Sequence, residues 1–220
     1  AILSKMDRRG YKTLMLIGPK PKAGVSSMAQ NLGASMALSG RRVLVLDANF
    51  RRPAQAGLFG VSEQPGLSDL LSGQLSLDQA QTVVHAVDGF SLSVLPAGQK
   101  GSLSPEQLET SLFRDLLTRL ESSYDVILID VAPALLASEG KQLAKHVDAT
   151  VIVCRAKSDT RGMLQKVLGD LDGQRADILG VVLNAVRASA GGYMKKTFRE
   201  FYRYRGTERG GKAAAPARSA

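Results

Sequence analysis

A glycine- and lysine-rich turn near the start of the chain contains residue types that bind phosphate. An apolar run of strand length, residues 13–17, precedes the turn, and a helical pattern begins at Ser26. In this setting backbone N–H groups and the helix dipole bind phosphate oxygens, a lysine adds positive charge, and a Ser or Thr hydroxyl binds magnesium. The turn therefore has the outline of a nucleotide-binding P-loop, with candidate contacts from Lys20, Lys22, Ala23, Gly24, Val25, Ser26 and Ser27.

Val25 occupies the position at which a P-loop carries its principal lysine. A lysine about 4 Å from a phosphate oxygen contributes on the order of 4 kcal/mol at an effective dielectric constant of about 20, before desolvation is subtracted. Valine contributes none of this attraction, whereas Ser26 keeps a hydroxyl for magnesium. The sequence therefore predicts that ATP or ADP and Mg²⁺ bind weakly, if they bind.

The composition bounds the fold and the environment of the chain. With 220 residues, of which 44% are hydrophobic and 22% charged, the chain can bury one substantial core. No apolar run approaches the roughly 18 residues needed to cross a bilayer, and no secretory signal is visible. The single cysteine, Cys154, excludes an intrachain disulfide and favours a cytoplasmic environment. We expect a lead-in over residues 1–12, a folded domain over 13–190 and a flexible tail over 191–220.

Strand and helix patterns alternate along the chain, which predicts an α/β fold with a mostly parallel sheet and helices on both faces. Polar residues end or follow three of the predicted strands: Asp47, Asp130 and Asn184. Because the carboxyl ends of parallel strands meet at one edge of a sheet, we expect these side chains near the P-loop. Helix capping or turn formation explains each residue alone, but their common placement favours a site. The predicted strands cover residues 13–17, 43–47, 90–95, 126–129, 150–154 and 178–183.

The order of motifs along the chain resembles that of one protein family. The segments GPKPKAGVSSMAQNLGAS, VLVLDANFRRP, GLSDLLSG, LSVLPAG, SPEQL, YDVILIDVAP and ILGVVLNAV are similar to the bacterial tyrosine kinase domains of capsule and exopolysaccharide systems. The similarity covers residues 14–186, and the MinD and ParA ATPases are relatives of the same family. It implies a Rossmann-like P-loop NTPase fold, ATP and Mg²⁺ as cofactors, and autophosphorylation of a C-terminal tyrosine cluster. It also implies a position at the cytoplasmic face of the plasma membrane, beside a membrane-spanning, Wzz-like polysaccharide co-polymerase.

The resemblance assigns the chemical residues only in part. The retained acids Asp47 and Asp130 correspond to catalytic and magnesium-binding positions, with Ser26 as a further magnesium ligand. Asn49 replaces the second acid of its motif, and an amide cannot serve as an anionic metal ligand or proton acceptor, a loss typically of about 100-fold or more. Asn184 matches the position whose side chain faces the adenine in these relatives.

The loop itself departs from the family pattern at two positions. The first glycine of the pattern falls on Lys22 and its lysine on Val25. An L-residue held in the left-handed conformation costs roughly 1 to 2 kcal/mol, so we expect the loop to have changed shape. Lys20 or Lys22 could replace the missing charge, but we expect both to remain solvated because neither has an evident preorganised partner.

These departures predict a degenerate, pseudokinase-like domain that regulates exopolysaccharide or capsule polymerisation or export by interaction with the co-polymerase. Two alternatives remain open. One is an active ATP-dependent tyrosine autokinase with an atypical P-loop, and the other is a ParA- or MinD-like positioning ATPase. The departures fall on the residues of the chemistry, whereas the framework of the family is retained.

The C-terminal tail is strongly basic. Residues 195–220 contain eight Lys and Arg against two Glu, a net charge of +6 out of the formal +9 of the chain. The tail could accept phosphate, bind the acidic inner membrane surface or, less favourably, hold nucleic acid; a solvated tail is the simplest alternative. Homo-oligomers or hetero-oligomers with an active kinase are further expectations from the resemblance. The candidate phosphate acceptors are Tyr193, Tyr202 and Tyr204.

Overall fold

The fold is described from a computed structural model, which covers residues 2–87, 89–99 and 111–186. The strands of the described residues are β1 (Thr13–Ile17), β2 (Val43–Ala48), β3 (His85–Ala86), β4 (Leu92–Leu95), β5 (Val126–Val131), β6 (Ala149–Arg155) and β7 (Ile178–Asn184). These seven strands form one sheet in the order β3-β4-β2-β5-β1-β6-β7. All neighbouring pairs are parallel except β3 and β4, which are antiparallel.

Helices connect the parallel strands, as the alternating pattern predicts. Helix α2 (Val25–Leu38) begins directly after Gly24, which has the left-handed conformation, and lies against β1, β2 and β5. The helices are α1 (Ile2–Arg9), α2 (Val25–Leu38), α3 (Gln55–Phe59), α4 (Leu67–Leu71), α5 (Ser111–Ser123), α6 (Glu139–Ala144) and α7 (Arg161–Asp172), with a 3-10 helix at Leu77–Val83. Among the described residues, none of these helices has the length and apolar character needed to cross a membrane.

The sheet separates two hydrophobic cores. Met15 and Ile17 of β1 belong to one core, which also contains Phe113 of α5. Leu14 and Leu16 belong to the other core, on the side of α1 and α2. Alternate side chains of a strand point to opposite faces, so a strand buried on both faces must be apolar throughout. The predicted fold class, a mostly parallel sheet covered on both faces, is confirmed.

The predicted strands are found at their expected places, with one addition. The prediction places the start of the fourth strand at Phe90, whereas β4 begins at Leu92. Gly89 has a φ of 76°, and the Phe90 N–H donates to the Val87 carbonyl at 3.2 Å, so these residues form a turn. The turn leads back to the two-residue strand β3, which the sequence did not predict because so short a segment has no measurable period.

The compact unit extends from Ala1 to Asn184, and a second unit, Ala185–Ala220, follows. Residues 2–9, expected only as a lead-in, form α1, whose Met6 is fully buried in the α2-side core. Of the second unit the structure describes residues 185 and 186 alone. The candidate phosphate acceptors Tyr193, Tyr202 and Tyr204 lie outside the described residues, so their assignment remains a prediction.

The burial of Met6 predicts that α1 contributes to the stability of the domain. We expect Met6→Ala to lower the free energy of unfolding by about 2 to 4 kcal/mol, because the substitution leaves a cavity in the core. The matched control is Leu38→Ala, at the exposed end of α2 (73% exposed), with an expected change below about 0.5 kcal/mol. Urea unfolding of the full chain measures both, and equal effects of the two substitutions would show that α1 does not support the fold.

Candidate nucleotide-binding site

The P-loop, the turn after β2 and the end of β5 enclose one cavity. Its volume is about 460 Å³. The predicted nucleotide-binding residues of the loop line it, and so does Asn49, whereas Asp47, Asp130 and Asn184 do not. The fold therefore places most of the predicted site residues around one cavity. The lining residues are Lys20, Pro21, Lys22, Ala23, Gly24, Val25, Ser26, Ser27, Asn49, Arg51, Arg52, Val131, Pro133 and Leu136.

Two residues of the loop have left-handed backbone conformations. Gly24 has a φ of 97°, and Lys22 has a φ of 66° although it carries a side chain. The carbonyls of the loop are held from outside: the Arg155 guanidinium donates to the Lys22 carbonyl at 2.9 Å, and the Asn184 amide donates to the Ala23 carbonyl at 2.9 Å. The expected change of loop shape is therefore wrong at Lys22. These two long-range hydrogen bonds hold the loop in a conformation that costs a lysine about 1 to 2 kcal/mol.

Asn184 lies next to the loop at the carboxyl end of β7. A Cβ atom added to Gly24 would lie 2.0 Å from the Asn184 Nδ2 atom. Glycine at this position thus serves two purposes, the left-handed φ and the close approach of the asparagine side chain. The described contact of Asn184 is with the loop backbone, and its role towards an adenine ring remains a prediction.

Val25 contributes packing at the position of the missing lysine. It is the first residue of α2 and is half-buried, and it packs against the core on the α2 side of the sheet. One of its methyl carbons, Cγ2, would lie 3.0 Å from a Cβ atom added to Gly18. The side chain therefore fills space between the loop and the sheet, and it brings no charge to the cavity.

The two candidate replacement lysines lie in different surroundings. The Lys20 ammonium donates to the Ser158 carbonyl at 2.7 Å and lies 3.6 Å from the Oδ1 atom of Asp159, a carboxylate whose side chain is 1% exposed. The prediction that Lys20 is solvated is therefore wrong, because the turn before α7 supplies a buried carboxylate that the sequence did not indicate. Lys22 is exposed at the wall of the cavity.

Asp47 organises the turn that follows β2. Its Oδ1 atom accepts a hydrogen bond from the Asn49 N–H at 3.0 Å, and its Oδ2 atom accepts from the N–H groups of Ala54 and Gln55 at 2.8 and 2.9 Å. Three of the roughly four acceptor positions of the carboxylate are thus filled by backbone donors. Asn49 continues the same turn, since its Oδ1 atom accepts from the Arg52 N–H at 3.2 Å.

Asp130 lies directly beside Asp47 and is bound by a residue that sequence reasoning missed. The two aspartates are paired in the register of β2 and β5, and both are fully buried. The amide of Gln55, also fully buried, donates to the Asp130 Oδ2 atom at 2.6 Å and to the Ser26 carbonyl at 3.2 Å. In the sequence, Gln55 is marked only as a polar residue between Ala54 and Ala56. This gives no indication of a hydrogen-bond partner 75 residues away.

The neighbouring carboxylates cannot both be ionised without cost. Burial, and after it the charge of Asp47, raise the pKa of Asp130 to about 7, although hydrogen bonds from Ser26 and Gln55 oppose this rise. Burial also raises the pKa of Asp47, against the three backbone hydrogen bonds that lower it. Because those three donors favour an ionised Asp47, we assign the shared proton of the pair to Asp130 near neutral pH.

The predicted magnesium ligands Ser26, Asp47 and Asp130 do not fit a divalent cation in this arrangement. Asp47 accepts three backbone hydrogen bonds, and Asp130 accepts from Gln55 through its Oδ2 atom and retains the proton of the pair. Asn49, at the remaining acid position of the motif, is neutral and part of a turn. A phosphate group fits better, since the cavity lies at the N-terminus of α2 and is lined by four cationic side chains.

The buried aspartate pair predicts an unusual dependence of stability on pH. Since the pKa of Asp130 rises from 3.8 in the unfolded chain to about 7 on folding, the native state binds more protons between these values, and its stability falls as the pH rises through that interval. Asp130→Asn removes this loss, and its amide can donate to Gln55 Oε1, which has no hydrogen-bond partner among the described residues. We expect the free energy of unfolding to rise by about 1 to 3 kcal/mol at a pH of about 8, with a flatter profile below a pH of about 7.

The matched substitution in this test is Asp47→Asn. It places an amide NH₂ against backbone donors and should lower the free energy of unfolding by about 1 to 3 kcal/mol. Urea unfolding at several pH values measures both variants. Destabilisation of the same size by both substitutions at alkaline pH would contradict the assignment of the proton to Asp130.

Gly24→Ala tests the packing between the loop and Asn184. We expect a loss of about 1 to 3 kcal/mol in the free energy of unfolding, from the left-handed φ and the contact with Asn184 Nδ2. In the double variant Gly24→Ala, Asn184→Ala the contact is absent, and the two losses should not add. Additive losses in thermal or urea unfolding would show that the two residues do not interact.

Comparison with known proteins identifies the family. Residues 12–168 match a family model described as an AAA domain. In sequence, the chain is 29% identical over 180 residues to tyrosine-protein kinase ptk of Acinetobacter johnsonii, covering 82% of this chain and 24% of that protein. The chain therefore spans about a quarter of the length of the curated relatives it matches.

Solved structures give the same result over nearly the whole described unit. The crystal structure of the VpsO kinase domain has a TM-score of 0.76 and 33% identity, over 84% of this chain and 90% of that chain. The kinase domain of the Escherichia coli tyrosine kinase ETK has a TM-score of 0.80 and 26% identity, over 87% of this chain and 74% of that chain. The MinD protein of Pyrococcus horikoshii, with a TM-score of 0.69 and 21% identity, shares the fold. By its motifs, its fold and the kinase relatives, the chain belongs to the bacterial tyrosine kinase family.

Proposed function

We propose that this chain is a pseudokinase-like member of its family, which transfers phosphate weakly or not at all. It regulates polymerisation or export of an exopolysaccharide or capsule through interaction with a membrane co-polymerase. The proposal rests on the contacts of two P-loop residues. Val25 packs against the core, and Lys20 is bound to Ser158 and Asp159. The positive charge that a P-loop places on the phosphates is missing from its usual position.

The second carboxylate motif supports the same proposal. Asn49 replaces an acid and takes part in a turn, and Asp47 accepts three backbone hydrogen bonds. Gln55 holds Asp130. A metal-binding or proton-accepting role is typically worth about 100-fold or more in rate. The residues at the positions of these roles instead form hydrogen bonds within the protein. The fold of the family is therefore retained, while the side chains that would bind metal or accept a proton have other partners.

The proposed location and partners rest on the family and on the tail. We place the chain in the cytoplasm, at the inner face of the plasma membrane, where the net charge of +6 on residues 195–220 favours acidic lipid. It would assemble with the co-polymerase, and with copies of itself or an active kinase. Tyr193, Tyr202 and Tyr204 are proposed as acceptors of phosphate from such a kinase.

One observation favours the alternative of an active autokinase. Lys22 is exposed at the cavity wall, from which its ammonium could reach a bound phosphate. The alternative requires this flexible side chain to replace a preorganised cation, and the ordering entropy of a lysine, about 2 kcal/mol, opposes the replacement. The test of the proposed function therefore compares phosphate transfer by the natural chain and by a variant with the lysine restored.

A lysine at position 25 should strengthen the binding of ATP with Mg²⁺. We expect Val25→Lys to raise the affinity for ATP with Mg²⁺ at least about tenfold, because it places a cation beside the phosphates. Val25→Ile, an apolar substitution of similar shape, is the matched control and should change little. Calorimetric titration measures affinity, and phosphotyrosine formation from ATP with Mg²⁺ measures transfer. Rapid autophosphorylation of the natural chain would contradict the proposal, and salt-sensitive retention on DNA would favour a positioning ATPase.

A further inference from the structure

The walls of the P-loop cavity are cationic and contain no carboxylate among the lining residues. Lys20, Lys22, Arg51 and Arg52 line the cavity. Two of these cations are offset by carboxylates outside the lining: Lys20 by Asp159, and Arg51 by Glu139, whose Oε1 atom accepts from the Arg51 Nε at 3.0 Å. Lys22 and Arg52 are exposed and add positive charge at the opening. The cavity thus attracts anions and repels a free divalent cation.

Gln55 provides Asp130 with a partner that requires no metal ion. The Gln55 amide connects the Asp130 carboxylate to the Ser26 carbonyl, with bonds of 2.6 and 3.2 Å, between the start of α2 and the end of β5. Because the Gln55 side chain is fully buried, water cannot readily replace these bonds. The interaction fills the space between the P-loop helix and the acid of β5 with a hydrogen-bonded amide.

We infer that this cavity binds a phosphorylated anion without a divalent cation. The inference rests, like the proposed function, on the altered residues of the P-loop. It adds the chemical class of the ligand and the expectation that the ligand binds without a metal ion. Free ATP or ADP carries two more negative charges than its magnesium complex. A cationic cavity without carboxylates binds the free anion more tightly, because each additional charge interacts favourably with Lys22 and Arg52. Backbone N–H groups at the start of α2 bind the phosphate oxygens.

Titration of the full chain with ADP, in EDTA and in excess Mg²⁺, tests the inference. We expect a dissociation constant about threefold or more lower in EDTA, with a steep loss of affinity as salt increases. Parallel titrations with pyrophosphate, inorganic phosphate and phenyl phosphate identify the source of the phosphate group. Binding of ADP but not pyrophosphate identifies a nucleotide site, whereas binding of pyrophosphate or phenyl phosphate identifies a site for other phosphorylated molecules. Each of these outcomes in EDTA supports the inference.

Variants of the wall connect the binding to the cavity. We expect Lys22→Ala and Arg52→Ala each to weaken binding in EDTA about fivefold, and Lys166→Ala, which removes an exposed lysine of α7, to leave it unchanged. Asn49→Asp adds a carboxylate to the wall and should weaken binding in EDTA while making it respond to Mg²⁺. If Lys22→Ala and Arg52→Ala bind as the natural chain does, the cationic wall does not hold the anion and the inference is overturned.

The inference and the proposed function fail in different measurements. Binding that requires Mg²⁺, or no binding of any of these anions, overturns the inference and leaves the absence of phosphoryl transfer untouched. Rapid transfer from ATP with Mg²⁺ overturns the proposed function, whatever the affinity in EDTA. A tighter complex in EDTA together with negligible transfer supports both.

Discussion

Two carboxylates buried side by side, Asp47 at the end of β2 and Asp130 at the end of β5, impose the constraint on which the site depends. Neighbouring buried anions repel each other and lose their hydration, so the protein must supply donors or retain a proton. The chain supplies both. The turn after β2 directs three N–H groups at Asp47, Gln55 donates to Asp130, and the pKa of Asp130 rises to about 7. The course of the chain from Asn49 to Gln55 follows from this requirement.

The hydrogen bonds and the proton that neutralise Asp47 and Asp130 also affect which ligands the cavity binds. Groups that neutralise the aspartates from within the protein leave them poorly suited to bind a metal ion from outside. Arg51 and Arg52 lie within this turn and bring cations to the cavity wall, next to Lys20 and Lys22 of the P-loop. A site with acids inside and cations outside holds phosphate more readily than it holds magnesium. The pseudokinase-like function and metal-independent binding are two consequences that we propose from this arrangement.

The loop keeps its backbone shape although two of its residues depart from the family pattern. Lys22 keeps the left-handed conformation expected of glycine, because Arg155 and Asn184 hold the carbonyls of the loop. Val25 keeps the start of α2 packed against the sheet. Packing and side-chain hydrogen bonds to the loop carbonyls therefore support the shape of the loop. Similarity of fold to the VpsO and ETK kinase domains reports on this framework and not on transfer of phosphate.

The sequence by itself determined the fold class, the parallel strands and the edge at which the site lies. Apolar runs between polar residues are local signals, and parallel strands bring their carboxyl ends together. It also determined that Val25 and Asn49 lack the charges of the family pattern. Only the tertiary structure decided that Lys20 pairs with Asp159, that Asn184 holds Ala23 and that Gln55 binds Asp130. These contacts join residues 75 to 161 positions apart, and no local pattern encodes a partner at such a distance. The physical reason is that burial and hydrogen bonding depend on which elements pack together, and this is settled only when the whole sheet has formed.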